Sequence, residues 1–174
     1  MKTRIIILFL IGLINLGFGQ NRKTRDYASY YSKNIGVGYS YSYGDTTEEN
    51  YHILDIGFNE SFFGGMHGGG LQYGIGSEVI LSADKITIGP KISGFFCYTF
   101  IVMGAELVTY TDFNNWSLRL VPFFGIGGEK FKLTMNPHVI ITNKNFQPMD
   151  GLVNLSINLS LKRKKIEKTA PNKV

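Results

Sequence analysis

The stretch VNLSINLSL, residues 153–161, alternates apolar and small polar side chains without interruption. Valine, leucine and isoleucine occupy its odd positions, and asparagine and serine occupy its even positions. Because successive side chains of a β-strand point to opposite faces, this pattern predicts a strand with one apolar and one polar face. Residues 35–43 repeat the alternation, with isoleucine, valine and tyrosine set against glycine and serine.

The same alternation recurs along most of the chain. It is clear in residues 71–81, 86–92, 101–107 and 116–126, and weaker in residues 51–59 and 130–142. Turn-forming residues separate these segments at 44–50, 60–70, 82–85, 97–99, 111–115, 127–129 and 143–150. No window after the first twenty residues shows a convincing helical period. The sequence therefore predicts an all-β fold of about eight strands, each roughly ten residues long.

The charge is unevenly distributed. The whole chain of 174 residues carries a net charge of +5, but residues 34–161 hold six basic and eleven acidic residues, a net charge of −5. The positive balance comes from residues 1–33 and 162–174, so we exclude a nucleic-acid-binding surface on the body of the protein. Cys97 is the only cysteine, which excludes a disulfide framework and a cysteine-based zinc site.

Both ends differ from the alternating body. Residues 1–19 combine Lys2 and Arg4, an apolar run and small residues before Gln20, a pattern that predicts a cleaved signal peptide and export. Residues 20–33 form a short periplasmic lead segment in this interpretation. Residues 162–174 are rich in lysine and predict a disordered basic tail, or alternatively a contact with anionic lipid or the cell wall.

The residues between the apolar positions decide which face of the strands is inside. In the six clearest strands about 25 such positions hold mostly Gly, Ser, Asn, Thr and Gln. A water-facing surface would carry roughly 25–35% charged residues, whereas small polar residues suit the narrow interior of a closed barrel. Leucine, isoleucine, valine and aromatic residues would then face lipid. Residues 34–161 therefore predict a closed, antiparallel, up-and-down transmembrane β-barrel.

Four charged residues interrupt the small interior set, on four consecutive strands. They alternate in sign: Glu78, Lys91, Glu106 and Arg119. A two-residue turn at positions 98–99 would place Lys91 opposite Glu106, and a hairpin closing around Phe113 would place Glu106 opposite Arg119. Glu78 would then lie diagonal to Lys91. Since buried charges must be paired, we predict a structural ladder of interior ion pairs.

Aromatic residues near the strand ends predict interfacial girdles. One set comprises Tyr41, Tyr43, Tyr110 and Trp116, and the other Phe58, Phe96, Tyr98 and Phe124.

The chain resembles the small eight-stranded outer-membrane barrels of the OmpA transmembrane-domain and OmpX type. The resemblance is carried by the number of strands, their alternation, the aromatic girdles, the charged interior and the strand LRLVPFFGIG at residues 118–127. The glycine- and tyrosine-rich strands resemble barrel proteins of the Bacteroidetes. The resemblance implies the outer membrane of a Gram-negative bacterium, contact with outer-membrane lipid, insertion by the barrel-assembly machinery and an interior plugged by charges. Barrels of this type normally end on an aromatic residue, whereas here Leu161 holds that position and thirteen residues follow.

The histidines do not have the spacing that catalysis would require. A barrel hydrolase would place a histidine and a serine close together on one strand, with a carboxylate to orient the imidazole, but His52 and His138 are followed by apolar residues. We therefore expect no catalytic residue, no metal site and no cofactor, and a structural or binding role. Two alternatives remain open: a lipid-modifying outer-membrane enzyme, and a secreted soluble barrel that binds a small apolar ligand.

Overall fold

The computed structural model describes residues 28–43, 51–65, 68–81, 86–146 and 149–166. The predicted signal peptide, most of the lead segment and the last eight residues of the predicted tail lie outside this part of the chain. Within the described residues, no helix is long and apolar enough to cross a membrane.

In the described ranges nine β-strands form one antiparallel sheet that closes on itself. The strands are β1 (Ser29–Tyr43), β2 (His52–Gly64), β3 (Gly69–Ile80), β4 (Thr87–Tyr98), β5 (Ile101–Thr111), β6 (Trp116–Gly127), β7 (Phe131–Pro137), β8 (Val139–Ile140) and β9 (Gly151–Ile166). Each strand from β1 to β6 pairs with the next, β6 pairs with β7 and β8, β7 pairs with β9, and β9 pairs with β1. The prediction of a closed antiparallel barrel of about eight strands is confirmed.

The two shortest strands, β7 and β8, share one position in the barrel. Leu133 of β7 faces Ile126 of β6, and Val139 of β8 faces Leu120 of the same strand in the same register. Pro137 ends β7 because proline has no backbone N–H to donate to the sheet. The backbone N–H of His138 instead donates to the carbonyl of Asp150, 2.7 Å away.

The two ends of the barrel differ in their connections. The connections at residues 65–68, 99–100 and 128–130 lie at the end where β1 begins and β9 ends, which we call the terminal end. The connections at the opposite end, the loop end, comprise residues 44–51, 81–86, 112–115 and 141–150, and all except 112–115 are longer than those at the terminal end.

The predicted limits of the barrel, residues 34 and 161, are wrong at both ends. Ser29 pairs with Ile166 and Lys33 pairs with Lys162, so part of the predicted lead segment and the first five residues of the predicted disordered tail belong to the sheet. The register shifts between Lys33 and Asn34, which leaves Leu161 as an extra residue. Beyond this bulge the backbone pairing continues without apolar alternation, because sheet hydrogen bonds do not depend on side-chain type. The connection predicted at residues 60–70 is likewise shorter, since β2 reaches Gly64.

Candidate functional site

The described residues bury polar side chains and expose apolar ones, the reverse of a water-soluble domain. On β9, Val153, Leu155 and Ile157 are between 39% and 52% exposed, whereas the intervening Asn154 and Ser156 are less than 9% exposed. The same holds around the barrel: in the part of the chain that the structure describes, 35 large hydrophobic residues are exposed, and the buried residues comprise 19 polar or charged against 13 hydrophobic. The outer wall is therefore an apolar band that surrounds a polar interior.

A buried lysine holds three carboxylates together at the centre of the interior. The ammonium of Lys91 donates to Glu78 Oε1 at 2.8 Å, to Asp55 Oδ2 at 2.9 Å and to Glu106 Oε2 at 3.0 Å. The side chains of Lys91, Glu78 and Glu106 are at most 7% exposed, and that of Asp55 is 17% exposed. We call these four residues the central cluster. Such charged groups are stable away from water only when they are paired and hydrogen-bonded.

The structure brings together three of the four predicted ladder residues, in a register that differs from the predicted one. Lys91 lies opposite Val108, and Glu106 lies opposite Ser93, because the turn between β4 and β5 is centred on residues 99–100. Lys91 reaches Glu106 along the diagonal, which its long side chain spans. Gly76 lies directly opposite Lys91, and Glu78 lies diagonal to Lys91.

The predicted pairing of Glu106 with Arg119 is wrong. Val121 lies opposite Glu106, and Arg119 lies opposite Val108. The β5–β6 connection is centred between residues 113 and 114, one residue further along than the predicted pairing requires, and this moves each paired residue by two positions. Arg119 is fully buried towards the loop end. Its Nη2 donates to the carbonyl of Phe146 at 2.7 Å, and its Nη1 lies 3.3 Å from His138 Nδ1.

Asp55 and Tyr110 contact the predicted ladder residues and were missed from the sequence. The Asp55 carboxylate accepts a hydrogen bond from the Lys91 ammonium. Tyr110 was predicted to belong to an interfacial girdle, which is wrong: it is 0% exposed, its hydroxyl donates to Glu78, and the Arg119 guanidinium lies 4.7 Å from its ring centroid. Sequence parity signalled this position, because Tyr110 is an even number of residues from the inward-facing Glu106.

Lys132 supplies a further interior cation. Its ammonium lies 4.5 Å from the ring centroid of Phe95 and 5.3 Å from that of Phe123, a cation–π geometry. The central cluster together with Arg119 and Lys132 brings three acidic and three basic side chains into the interior. Their formal charges cancel, which limits the cost of enclosing them.

Apolar clusters close the interior at both ends. At the terminal end the cluster comprises Phe63, Phe95, Cys97, Val102 and Phe123. At the loop end it comprises Tyr51, Ile53, Ile80, Val108, Tyr110, Val121, Met149 and Leu152, with Phe146 packed against it. Phe146 and Met149 belong to the connection between β8 and β9, so this loop folds back over the barrel.

A polar network fills the terminal half of the interior beside the apolar cluster. Asn158 Nδ2 donates to Gln72 Oε1 at 2.8 Å and to the carbonyl of Glu129 at 2.6 Å. The carboxylate of Glu129 accepts from Ser61 and pairs with Arg163 at 3.2 Å. Arg163, which belongs to the predicted disordered tail, is thus ion-paired with Glu129 at the terminal end of the barrel.

The interior contains a cavity of about 20 Å³, lined by residues that include Asp55, Lys91, Glu106, Lys132 and Asn158. This volume holds about one water molecule. The described interior is therefore a packed polar core.

Two of the three histidines lie among the described residues. His52 Nδ1 lies 2.5 Å from the Tyr39 hydroxyl on the outer wall. His138 is stacked on Tyr110, with ring centroids 6.2 Å apart. In the described residues no group of three or more His, Cys, Asp or Glu side chains is arranged to hold a metal ion.

Comparison of the chain with protein-family models, curated proteins and solved structures gives no match.

Proposed function

We propose that this protein is a small outer-membrane β-barrel with a plugged polar interior, exported by a cleaved signal peptide and acting as a structural or binding protein. The observation that carries the proposal is the inverted burial, with an apolar outer wall around asparagine, serine and paired charges. In water such a wall would be a large aggregating surface, whereas a bilayer requires an apolar band and a barrel without free edges.

The barrel geometry supports this proposal in two further ways. Apart from the divided β7 and β8, its strands have 11–16 residues, which is enough to cross the hydrocarbon, since a tilted strand needs about 9–11. Short turns at the terminal end and longer connections at the loop end match the periplasmic and extracellular sides of outer-membrane barrels. Exposed aromatic residues gather towards the terminal end: Phe62, Tyr73, Phe96, Tyr98, Phe124 and Phe131.

A role as an open pore is not favoured by the contents of the barrel. Apolar clusters lie at both ends, and the four charges of the central cluster between them are paired with one another. An eight-stranded barrel is generally filled by its own side chains. The same contents disfavour a secreted soluble barrel that binds an apolar ligand, because ligand sites have volumes of about 300–1,000 Å³ and mostly apolar walls.

Cell fractionation tests the proposal. Membranes washed with alkaline carbonate should retain the protein, detergent should extract it, and unboiled samples should migrate differently from boiled ones on a denaturing gel. Recovery in the soluble fraction without detergent would overturn the membrane assignment and favour the soluble barrel.

We propose no catalytic role. Buried against Arg119 and Tyr110, His138 has contacts that fit packing better than hydrolysis. Incubation of the purified protein with outer-membrane lipid, followed by mass spectrometry, tests this, and any change in acyl chains would favour the enzyme alternative.

The proposed partners are outer-membrane lipid, the barrel-assembly machinery and an anionic polymer or lipid at the periplasmic surface. Lys162, Lys164 and Lys165 are exposed at the terminal end of β9, where a basic patch would attract phosphate groups or the cell wall. Binding to anionic vesicles should fall when Lys162 and Lys164 are changed to glutamine, and unchanged binding would remove this contact from the proposal.

A further inference from the structure

Among the described residues, a group of polar side chains lies on the outer wall towards the terminal end. Lys33, Glu60 and Tyr73 lie side by side on β1, β2 and β3 and point outward. The Lys33 ammonium lies 3.1 Å from Glu60 Oε1, and the Tyr73 hydroxyl donates to Glu60 Oε2 at 2.9 Å. We call these three residues the wall cluster. The side chains of Lys33 and Glu60 are 42% and 27% exposed.

The wall cluster is enclosed by apolar side chains along the strands. Phe58 and Ile75 lie one outward position towards the loop end, and Phe62 and Leu71 lie one outward position towards the terminal end. An ion pair on a lipid-facing wall is costly near the bilayer centre and tolerated near the interface. Its position among the aromatic residues of the terminal end corresponds to the level of phospholipid headgroups in the periplasmic leaflet.

A groove on the outer wall begins at the wall cluster. It has a volume of about 390 Å³ and is lined by Glu60, Tyr73 and the apolar side chains of Phe58, Ile75 and Ile92. A second groove of about 230 Å³ shares Ile92 with it and continues across Gly94 towards β5 and β6. At Gly94 an added Cβ would meet only the carbonyl of Gln72, at 3.9 Å. The missing side chain therefore leaves a hollow in an otherwise bulky wall.

We propose that the wall cluster and its groove bind a phospholipid with an ethanolamine headgroup; this inference rests on the proposed outer-membrane location. Lys33 offers a cation to the lipid phosphate, and Glu60 offers an acceptor to the primary ammonium, which has three N–H donors. The acyl chains lie in the apolar grooves. A choline headgroup would bind less well, because its quaternary ammonium has no N–H to donate to Glu60.

The test uses the full-length protein purified in detergent, and the carbonate wash described above comes first. If the protein is not retained in membranes, the proposed function fails, and the lipid proposal that rests on it fails as well. If it is retained, native mass spectrometry with equimolar phosphatidylethanolamine, phosphatidylcholine and phosphatidylglycerol of identical acyl chains measures which lipid stays bound. We expect phosphatidylethanolamine to be retained about tenfold more than phosphatidylcholine, the difference made by one charge-assisted hydrogen bond.

Variants separate the headgroup contact from the groove. Glu60→Gln should abolish the preference for ethanolamine over choline, Tyr73→Phe should weaken it, and Gly94→Leu should reduce retention of all three lipids by filling the hollow. Asp150→Asn and Lys144→Met remove charges at the loop end and should leave retention unchanged. Heat-modifiable gel mobility confirms that each variant is folded.

Equal retention of the ethanolamine and choline lipids would overturn the proposal, as would a wild-type preference in Glu60→Gln. Stronger retention of phosphatidylglycerol would mean that Lys33 binds the headgroup without a contribution from Glu60, and this result would also contradict the proposal. A protein dimer seen without bound lipid, and lost in Gly94→Leu, would identify a second copy of the chain as the occupant instead.

Discussion

Replacing Lys91 by methionine tests the centre of the barrel most severely. The change keeps a similar side-chain length and removes the cation to which Asp55, Glu78 and Glu106 are bound at 2.8–3.0 Å. Three carboxylates would then share a nearly closed interior without the ammonium that separates them. Breaking a buried ion pair by removing one partner costs about 3–5 kcal/mol, so we expect at least this loss in the free energy of unfolding.

The assay is urea unfolding of the protein in detergent or bilayers, followed by the fluorescence of Trp116, the only tryptophan. With a slope of about 2 kcal/mol per M urea, the midpoint should fall by about 2 M. Lys144→Met, in an exposed loop, is the matched control and should unfold like the wild type. Combining Lys91→Met with Glu78→Gln should recover part of the loss. If Lys91→Met unfolds at the wild-type midpoint, the reasoning about the central cluster is refuted.

Three further substitutions test other parts of the interior by the same urea assay. Arg119→Leu should destabilise the barrel by about 1–3 kcal/mol, because its hydrogen bonds to the loop-end connection are lost. Adding Glu106→Gln should not recover this stability. If it does, Glu106 and Arg119 are paired as the sequence predicted. Gly125→Ala would place a Cβ 2.0 Å from the carbonyl oxygen of Leu133 on β7 and should lower the free energy of unfolding by about 1–3 kcal/mol. In the control Gly128→Ala the added Cβ meets nothing within 4 Å, so stability should be unchanged. Equal stability of the two variants would contradict the close approach of β6 and β7. Asn158→Ala removes two donated hydrogen bonds and should cost about 1–3 kcal/mol; an unchanged midpoint would show that the polar network does not contribute to stability.

The sequence predicts the strands and their faces well because side-chain alternation has a period of two. Residues 153–159 alternate between exposed and buried in the structure, as their apolar and polar side chains alternate in the sequence. Glu78, Lys91, Glu106 and Arg119 all face inward. Parity alone would also have placed Tyr110 inside, whereas its aromatic ring led to the wrong prediction of an interfacial position.

Register was not predictable by the same means. A shift of two residues between neighbouring strands leaves every side chain on its original face, so alternation cannot detect it. The turn between β4 and β5 contains no Asn-Gly or Asp-Gly pair to mark its centre, and Thr99 adopts a positive φ of 60° there. In the β5–β6 connection Phe113 has a φ of 70°, and Asp112 accepts from the backbone of Asn114 and Asn115. These local contacts set the register that moves Arg119 away from Glu106.

The central cluster also depends on contacts that no local pattern reveals. Asp55 and Lys91 are 36 residues apart and belong to strands separated by β3. Their meeting follows from closure of a narrow barrel, in which long side chains cross the interior past glycines such as Gly57 and Gly76. A single strand pattern contains no information on such a crossing.

The most direct test of the central claim is whether the outer wall faces lipid. Spin labels attached to cysteines introduced at Ile157 and Met103, in a Cys97→Ser background, would report collision rates with oxygen, which concentrates in hydrocarbon, and with a water-soluble nickel complex. In bilayers both outward-facing positions should collide readily with oxygen and poorly with nickel, while a label at Lys144 in the loop should show the opposite. If the nickel complex reaches Ile157 and Met103 as readily as Lys144, the wall faces water and the account of a membrane barrel is contradicted.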